Sequence, residues 1–102
     1  MEKQYDKAIH RIVQNVKPQK IILFGSRARG KSSDQSDYDI CLLKAGVVHR
    51  RKLAQDIYKL LGGCRIAMDV IVETPERFSK LKENSYLIYR EIDRYGKVIY
   101  EK

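Results

Sequence analysis

Leu23-Phe24-Gly25-Ser26-Arg27-Ala28-Arg29-Gly30-Lys31-Ser32-Ser33-Asp34-Gln35-Ser36-Asp37-Tyr38-Asp39-Ile40 is the stretch on which the reading of this chain turns. It begins at the end of a short apolar run, Lys20 to Phe24, of the kind that forms a buried strand. From Gly25 to Ser36 no apolar residue is larger than Ala28, which predicts a loop with room for one helical turn. Asp37 to Leu43 then alternates and turns apolar, predicting a second strand. Gly25 permits a sharp turn and close approach of a ligand to the backbone. Exposed N–H groups there, with the Ser26 hydroxyl, suit phosphate oxygens. Arg27, Arg29 and Lys31 add cationic donors for the same oxygens.

Asp37 and Asp39 are two residues apart on the expected strand, so their side chains share one face, with Cα atoms roughly 6.5–7 Å apart. Tyr38, Ile40 and Leu42 point the other way, toward a core. Two carboxylates on an open face beside a phosphate loop suit hard divalent cations such as Mg²⁺. A third carboxylate, Asp69, interrupts the apolar strand Ile66-Ala67-Met68-Asp69-Val70-Ile71-Val72. Burying a charge there is costly without a partner. If that strand neighbours the one bearing Asp37 and Asp39, all three can join one cluster, whose mutual repulsion asks for cations. Taken singly, each feature has a plainer reading, turn chemistry for Asp-x-Asp and edge-strand solubility for Asp69; the combination favours a metal and nucleotide site.

Further from the loop, Tyr5, Ile9, Ile12, Val13 and Val16 have helical spacing over Glu2 to Val16, and Pro18 ends that helix. Leu53, Ile57, Leu60 and Leu61 predict a helix over Val48 to Leu61, stopped by Gly62-Gly63. Pro75 fits the first turn of another helix, broken near Asn84 and closed by Gly96. Lys97 to Tyr100 reads as a last strand. The pattern is an α/β or α+β sheet with helices packed on it.

The chain has 102 residues and 11.9 kDa, enough for one domain spanning 1–102. No apolar run approaches the ~18–20 residues of a membrane span, and no apolar segment follows Met1 as in a signal peptide. Two cysteines make neither a disulfide framework nor a zinc motif, which fits a cytoplasmic setting. The net charge of +8 sits mostly in the first half: residues 1–52 hold 12 Lys/Arg against 5 Asp/Glu, residues 53–102 hold 9 against 8. An anionic partner is indicated, though charge does not choose among nucleotide, nucleic acid and acidic protein.

Gly25 to Ser32 also matches the P-loop pattern G-x-x-x-x-G-K-[ST]. A P-loop runs straight into a helix with an apolar face. Here Ser32-Ser33-Asp34-Gln35-Ser36-Asp37 follows, and the next apolar residues alternate as in a strand. That context argues against a P-loop.

Phe24-Gly25-Ser26, ten intervening residues and Asp37-Tyr38-Asp39-Ile40 resemble the signature of the nucleotidyltransferase superfamily that includes DNA polymerase β. Gly25-Ser26-Arg27-Ala28-Arg29-Gly30, Ser36-Asp37-Tyr38-Asp39, Asp69-Val70 and the closing Gly96-Lys97-Val98-Ile99-Tyr100 are most similar to its minimal nucleotidyltransferases. The resemblance covers nearly the whole chain. It implies a mixed sheet with helices mainly on one face and ATP phosphates at Gly25 and Ser26, with Arg27 and Arg29 beside them. It further implies two Mg²⁺ on Asp37, Asp39 and Asp69, and transfer of AMP to an acceptor hydroxyl. Proteins of this size resemble antitoxins paired with an all-helical HEPN-type ribonuclease toxin, some of which adenylylate a toxin tyrosine. The larger relatives' acceptor-binding domain has no counterpart in this sequence, which favours a protein partner that completes the site, in a hetero- or homo-oligomer. The competing readings are a contact-only antitoxin with a vestigial nucleotide site and a basic RNA-binding domain; the latter lacks an aromatic stacking platform.

Other residues read as structural. His10, His49 and the basic run His49-Arg50-Arg51-Lys52 are expected at the surface. Cys41 falls on the Asp37–Asp39 side by strand parity, but the reaction needs no thiol nucleophile. Of Tyr86, Tyr89, Tyr95 and Tyr100, packing accounts for some, and an exposed subset would suit an interface.

Overall fold

The structure, a computed structural model, describes residues 2–30 and 37–102. The expectations that fall on Lys31 and on residues 32–36 lie outside the described residues. Among the described residues the order is α1 (Glu2–Val16), β1 (Lys20–Phe24), α2 (Gly25–Ala28), β2 (Tyr38–Leu43), α3 (Arg50–Leu60), β3 (Met68–Glu73), α4 (Pro75–Leu81), α5 (Ile88–Tyr95) and β4 (Lys97–Glu101). The loop expected after Phe24 begins with the single helical turn that its composition allows, α2.

The strands form one sheet in the order β3-β2-β1-β4. β1 pairs antiparallel with β2 and with β4. β2 and β3 run parallel, joined by the crossover helix α3, as a parallel connection requires. The sheet is therefore mixed, as the resemblance implied.

Strand parity divides the core. Tyr38, Ile40 and Leu42 of β2 pack with Ala8, Ile12 and Val16 of α1 and Ile57 of α3. On the other face Ile22, Phe24, Cys41 and Leu43 pack with Phe78 of α4 and Ile92 of α5. The two long helices cover the first face with the larger cluster; the short α4 and α5 cover the second. β1 and β2 are thus buried on both sides, which explains the unbroken apolar run at Ile21 to Phe24. Ile12, Ile21, Ile40, Ile57 and Ile92 are wholly or almost wholly buried, each stabilising the fold by about 1.5–3 kcal/mol.

Side chains fix the helix ends. Arg11 of α1 donates to the carbonyls of Leu60 (3.0 Å) and Gly62 (3.2 Å), placing a cation at the carbonyl end of α3. Thr74 caps α4 by accepting from the Arg77 amide, with Pro75 in the first turn. Gly96 closes α5 in extended backbone; a Cβ there would overlap the Ile92 carbonyl and Ile22. Its smallness, and not a left-handed conformation, lets α5 lie close on β1. The outer edge of β3 is partly covered, because the Val70 amide donates to the Tyr58 hydroxyl at 2.9 Å.

Glu73, at the far end of β3, ties the second face together. It is fully buried. Its carboxylate accepts from Arg50 at 2.5 Å, Arg77 at 3.1 Å, the Tyr89 hydroxyl at 2.9 Å and the Thr74 amide at 3.0 Å. One carboxylate thereby links α3, α4 and α5 to the sheet. Sequence reasoning passed over Glu73; the signal was a charge ending an apolar strand, and its partners lie up to 23 residues away.

Candidate active site

The parallel register sets Asp39 directly opposite Asp69. The antiparallel register sets Phe24, the residue before Gly25, opposite Asp39. One residue, Asp39, thus stands between the start of the glycine loop and the third carboxylate. β3 does neighbour β2, so the condition for Asp69 to approach the Asp-x-Asp pair is met. Asp39 and Asp69 are within hydrogen-bonding reach of each other. Asp37 is exposed just before β2, on the same side by parity.

The Asp39 carboxyl is held above its ordinary range, chiefly by burial, then by the charges of Asp69 and Asp37 and the hydrogen bond with Asp69. Burial and like charge both disfavour its ionised form. A bound divalent cation would reverse both effects, and carboxylate oxygens are the donors that Mg²⁺ takes. The donor chemistry of Asp39 and Asp69 therefore fits such an ion. Among the described residues no three Asp, Glu, His or Cys side chains are gathered tightly enough to enclose a metal. The site is a close pair with Asp37 beside it, open to solvent at Asp37 and Asp69.

Gly25 has φ +75, and a Cβ on it would overlap the Asp39 carboxylate. Glycine is required here for conformation and for space. Ser26 is exposed in the first turn of α2, and the Gly25 carbonyl accepts from the Arg29 amide at 3.2 Å. The two loop arginines diverge. The Arg27 guanidinium lies 3.9 Å from the centroid of the Tyr38 ring, on the α1 face, where Tyr38 itself stacks on Tyr5 at 4.5 Å. Arg29 lies over Tyr95 of α5, on the face of Asp39.

Cys41 follows Asp39 on the same face but is fully buried among Ile22, Phe24 and Phe78. Burial, with Glu73 nearby, pushes its thiol up to about 12, so it is a packing residue. His10 and His49 are at the surface. Of the basic run, Arg50 is turned inward to Glu73. Tyr89 is engaged by Glu73 and by Phe78, edge to face at 5.9 Å, whereas Tyr86 and Tyr95 are exposed. No helix among the described residues is long and apolar enough to cross a membrane.

Asp39 and Asp69 thus form a pair of acidic positions on neighbouring parallel strands beside the Gly25-Ser26 turn of a mixed sheet. Residues 6–102 match the family described as "Polymerase beta, Nucleotidyltransferase", and the chain belongs to it. It is 34% identical over 101 residues to MJ0604 of Methanocaldococcus jannaschii, provisionally named a protein adenylyltransferase; the match covers 93% of this chain and 97% of that one. Its fold resembles that of a chain in a toxin–antitoxin complex crystallised with AMP-PNP, with a TM-score of 0.63 and 27% identity over 95% of this chain and 73% of that one. A nucleotidyltransferase-type protein of Sulfolobus solfataricus shares the fold, with a TM-score of 0.70 over all of this chain and 81% of that one, at 17% identity.

Proposed function

We propose that this nucleotidyltransferase moves AMP from ATP to a hydroxyl, of the tyrosine type, on a partner protein, and that it is the antitoxin of a pair whose toxin is a helical HEPN-type protein. The observation that carries the chemistry is the Asp39–Asp69 pair on one rung beside Gly25. The protein-directed reading is supported by the similarity to MJ0604, and the toxin partner by the toxin–antitoxin relative. A cytoplasmic setting suits the two free cysteines, Cys41 and Cys64.

Gly25, Ser26 and Arg29 bind the triphosphate, Arg29 as a cationic donor on the acidic-pair face, and Arg27 joins them by leaving the Tyr38 ring on the opposite face. Asp37, Asp39 and Asp69 would hold two Mg²⁺ ions, which would supply Lewis-acid polarisation of phosphoryl oxygens. The acceptor oxygen forms a bond to the α-phosphorus, and the bond to the bridging oxygen breaks, releasing pyrophosphate. Asp69 receives the hydroxyl proton.

The test incubates the chain with Mg²⁺, the protein encoded beside it and ATP labelled at the α or the γ position. α-Label on the partner is expected. γ-Label would mean kinase chemistry and overturn the reading. Tight binding without either label would leave a contact-only antitoxin.

A further inference from the structure

Arg29 follows α2 directly, and its guanidinium is held at two points. Its Cζ lies 4.3 Å from the centroid of the Tyr95 ring, and its Nη1 lies 3.6 Å from a carboxylate oxygen of Glu91. Glu91 and Tyr95 are four residues apart on α5, hence on one stripe of that helix. α5 packs on the sheet face that carries Asp39, through Ile92 against Ile22, Phe24 and Cys41. Arg27 leans to the opposite face. Of the two loop arginines, only Arg29 is carried to the side of the acidic pair.

These contacts contribute little to stability. The Arg29 and Glu91 side chains are 39% and 41% exposed, and ion pairs so placed are weak. Their effect is on freedom of motion. An arginine loses rotamer entropy when it fixes on a phosphate, and a side chain already held in place loses less. Stacking occupies the face of a guanidinium and leaves N–H groups at its edge for oxygen acceptors.

We propose that Glu91 and Tyr95 are positioning residues for Arg29, holding its guanidinium on the acidic-pair face so that it meets the nucleotide phosphates preset. α5 thereby helps to set nucleotide affinity. This rests on the reading of the Gly25–Arg29 turn as the triphosphate site.

Calorimetric titration of the full chain with ATP and Mg²⁺, and separately with adenosine, tests it. Tyr95→Leu weakens ATP binding about two- to five-fold, the range of an exposed cation–π contact. Glu91→Gln weakens it by up to about five-fold, as an exposed ion pair would. Tyr95→Phe, which keeps the ring face, binds as the parent does. In an Arg29→Gln background neither Tyr95→Leu nor Glu91→Gln has any further effect, and adenosine, lacking phosphates, binds all variants alike. Undiminished losses in the Arg29→Gln background, equal losses for adenosine, unchanged ATP affinity, or tighter binding by Glu91→Gln would each overturn the inference. If the parent chain binds no ATP at all, the nucleotide-site reading itself fails, and the inference with it.

Discussion

Asp39 and Asp69 occupy the same rung of the parallel pairing between β2 and β3, so two carboxylates separated by 30 residues face each other across neighbouring strands. Burial and this proximity raise the Asp39 carboxyl, so its ionised form opposes folding when no cation is present. Asp39→Asn is expected to raise the thermal midpoint of the metal-free chain while lowering AMP transfer at least about a hundredfold, the scale of lost charge stabilisation at a reacting phosphoryl group. Asp37→Ala and Asp69→Ala should also lose transfer without losing the fold. Thermal melts in chelator and a pyrophosphate-release assay measure both effects. Retained transfer would refute the site assignment.

Gly25, just past the end of β1, faces the same carboxylate. Gly25→Ala forces a Cβ into a left-handed conformation and against Asp39. The backbone term alone costs about 1–2 kcal/mol, and the displaced Asp39 should cost activity beyond that. Gly30→Ala offers the comparison: φ is +71, but among the described residues nothing lies within 4 Å of a Cβ placed there. Similar destabilisation with much higher retained transfer is expected there, read by urea unfolding and by pyrophosphate release.

Glu73 gives an asymmetric prediction. Its arginine partners are 40% and 53% exposed, whereas Glu73 is fully buried. Glu73→Gln leaves Arg50 and Arg77 able to rehydrate, for a cost of about 1–2 kcal/mol. Arg50→Ala with Arg77→Ala strands a buried carboxylate and should cost more, about 3 kcal/mol. Chemical denaturation of the two variants decides the order; the reverse order would show that the arginines act through other contacts.

Alkaline pH should weaken the fold. Cys41 is raised from 9.0 to about 12, and Tyr89 and Tyr5 from 10.0 to about 12, burial being the first cause in each case. For groups raised in the folded state, the unfolded chain releases its protons first. Their stabilisation is complete below the unfolded values and declines as pH rises from about 9 to about 12. Denaturation midpoints measured across that window should fall, and Cys41→Ala should shallow the fall at its lower end. A thiol reagent at pH 8 should leave folded Cys41 unmodified.

The sequence by itself determined a good deal. Helical spacing from Tyr5 to Val16, the apolar run before Gly25 and the alternation after Asp37 each report local geometry, because burial of one face imposes a period on nearby residues. The Gly25-Ser26 and Asp37-x-Asp39 spacing was legible for the same reason: loop and strand chemistry are short-range. What the tertiary structure decided depends on partners far apart in the chain. Strand parity could say that Asp69 shares a face with its own alternate residues, but only the parallel register of β3 on β2 sets it opposite Asp39. Arg27 and Arg29 look equivalent in the sequence; the positions of Tyr38 and Tyr95 send them to opposite faces. Glu73 looks like the polar end of a strand until α3, α4 and α5 close over it. Periodicity is a property of adjacent residues, whereas register, the covering of a face and the pairing of a buried charge are properties of the packed whole, and those set Asp39 opposite Asp69.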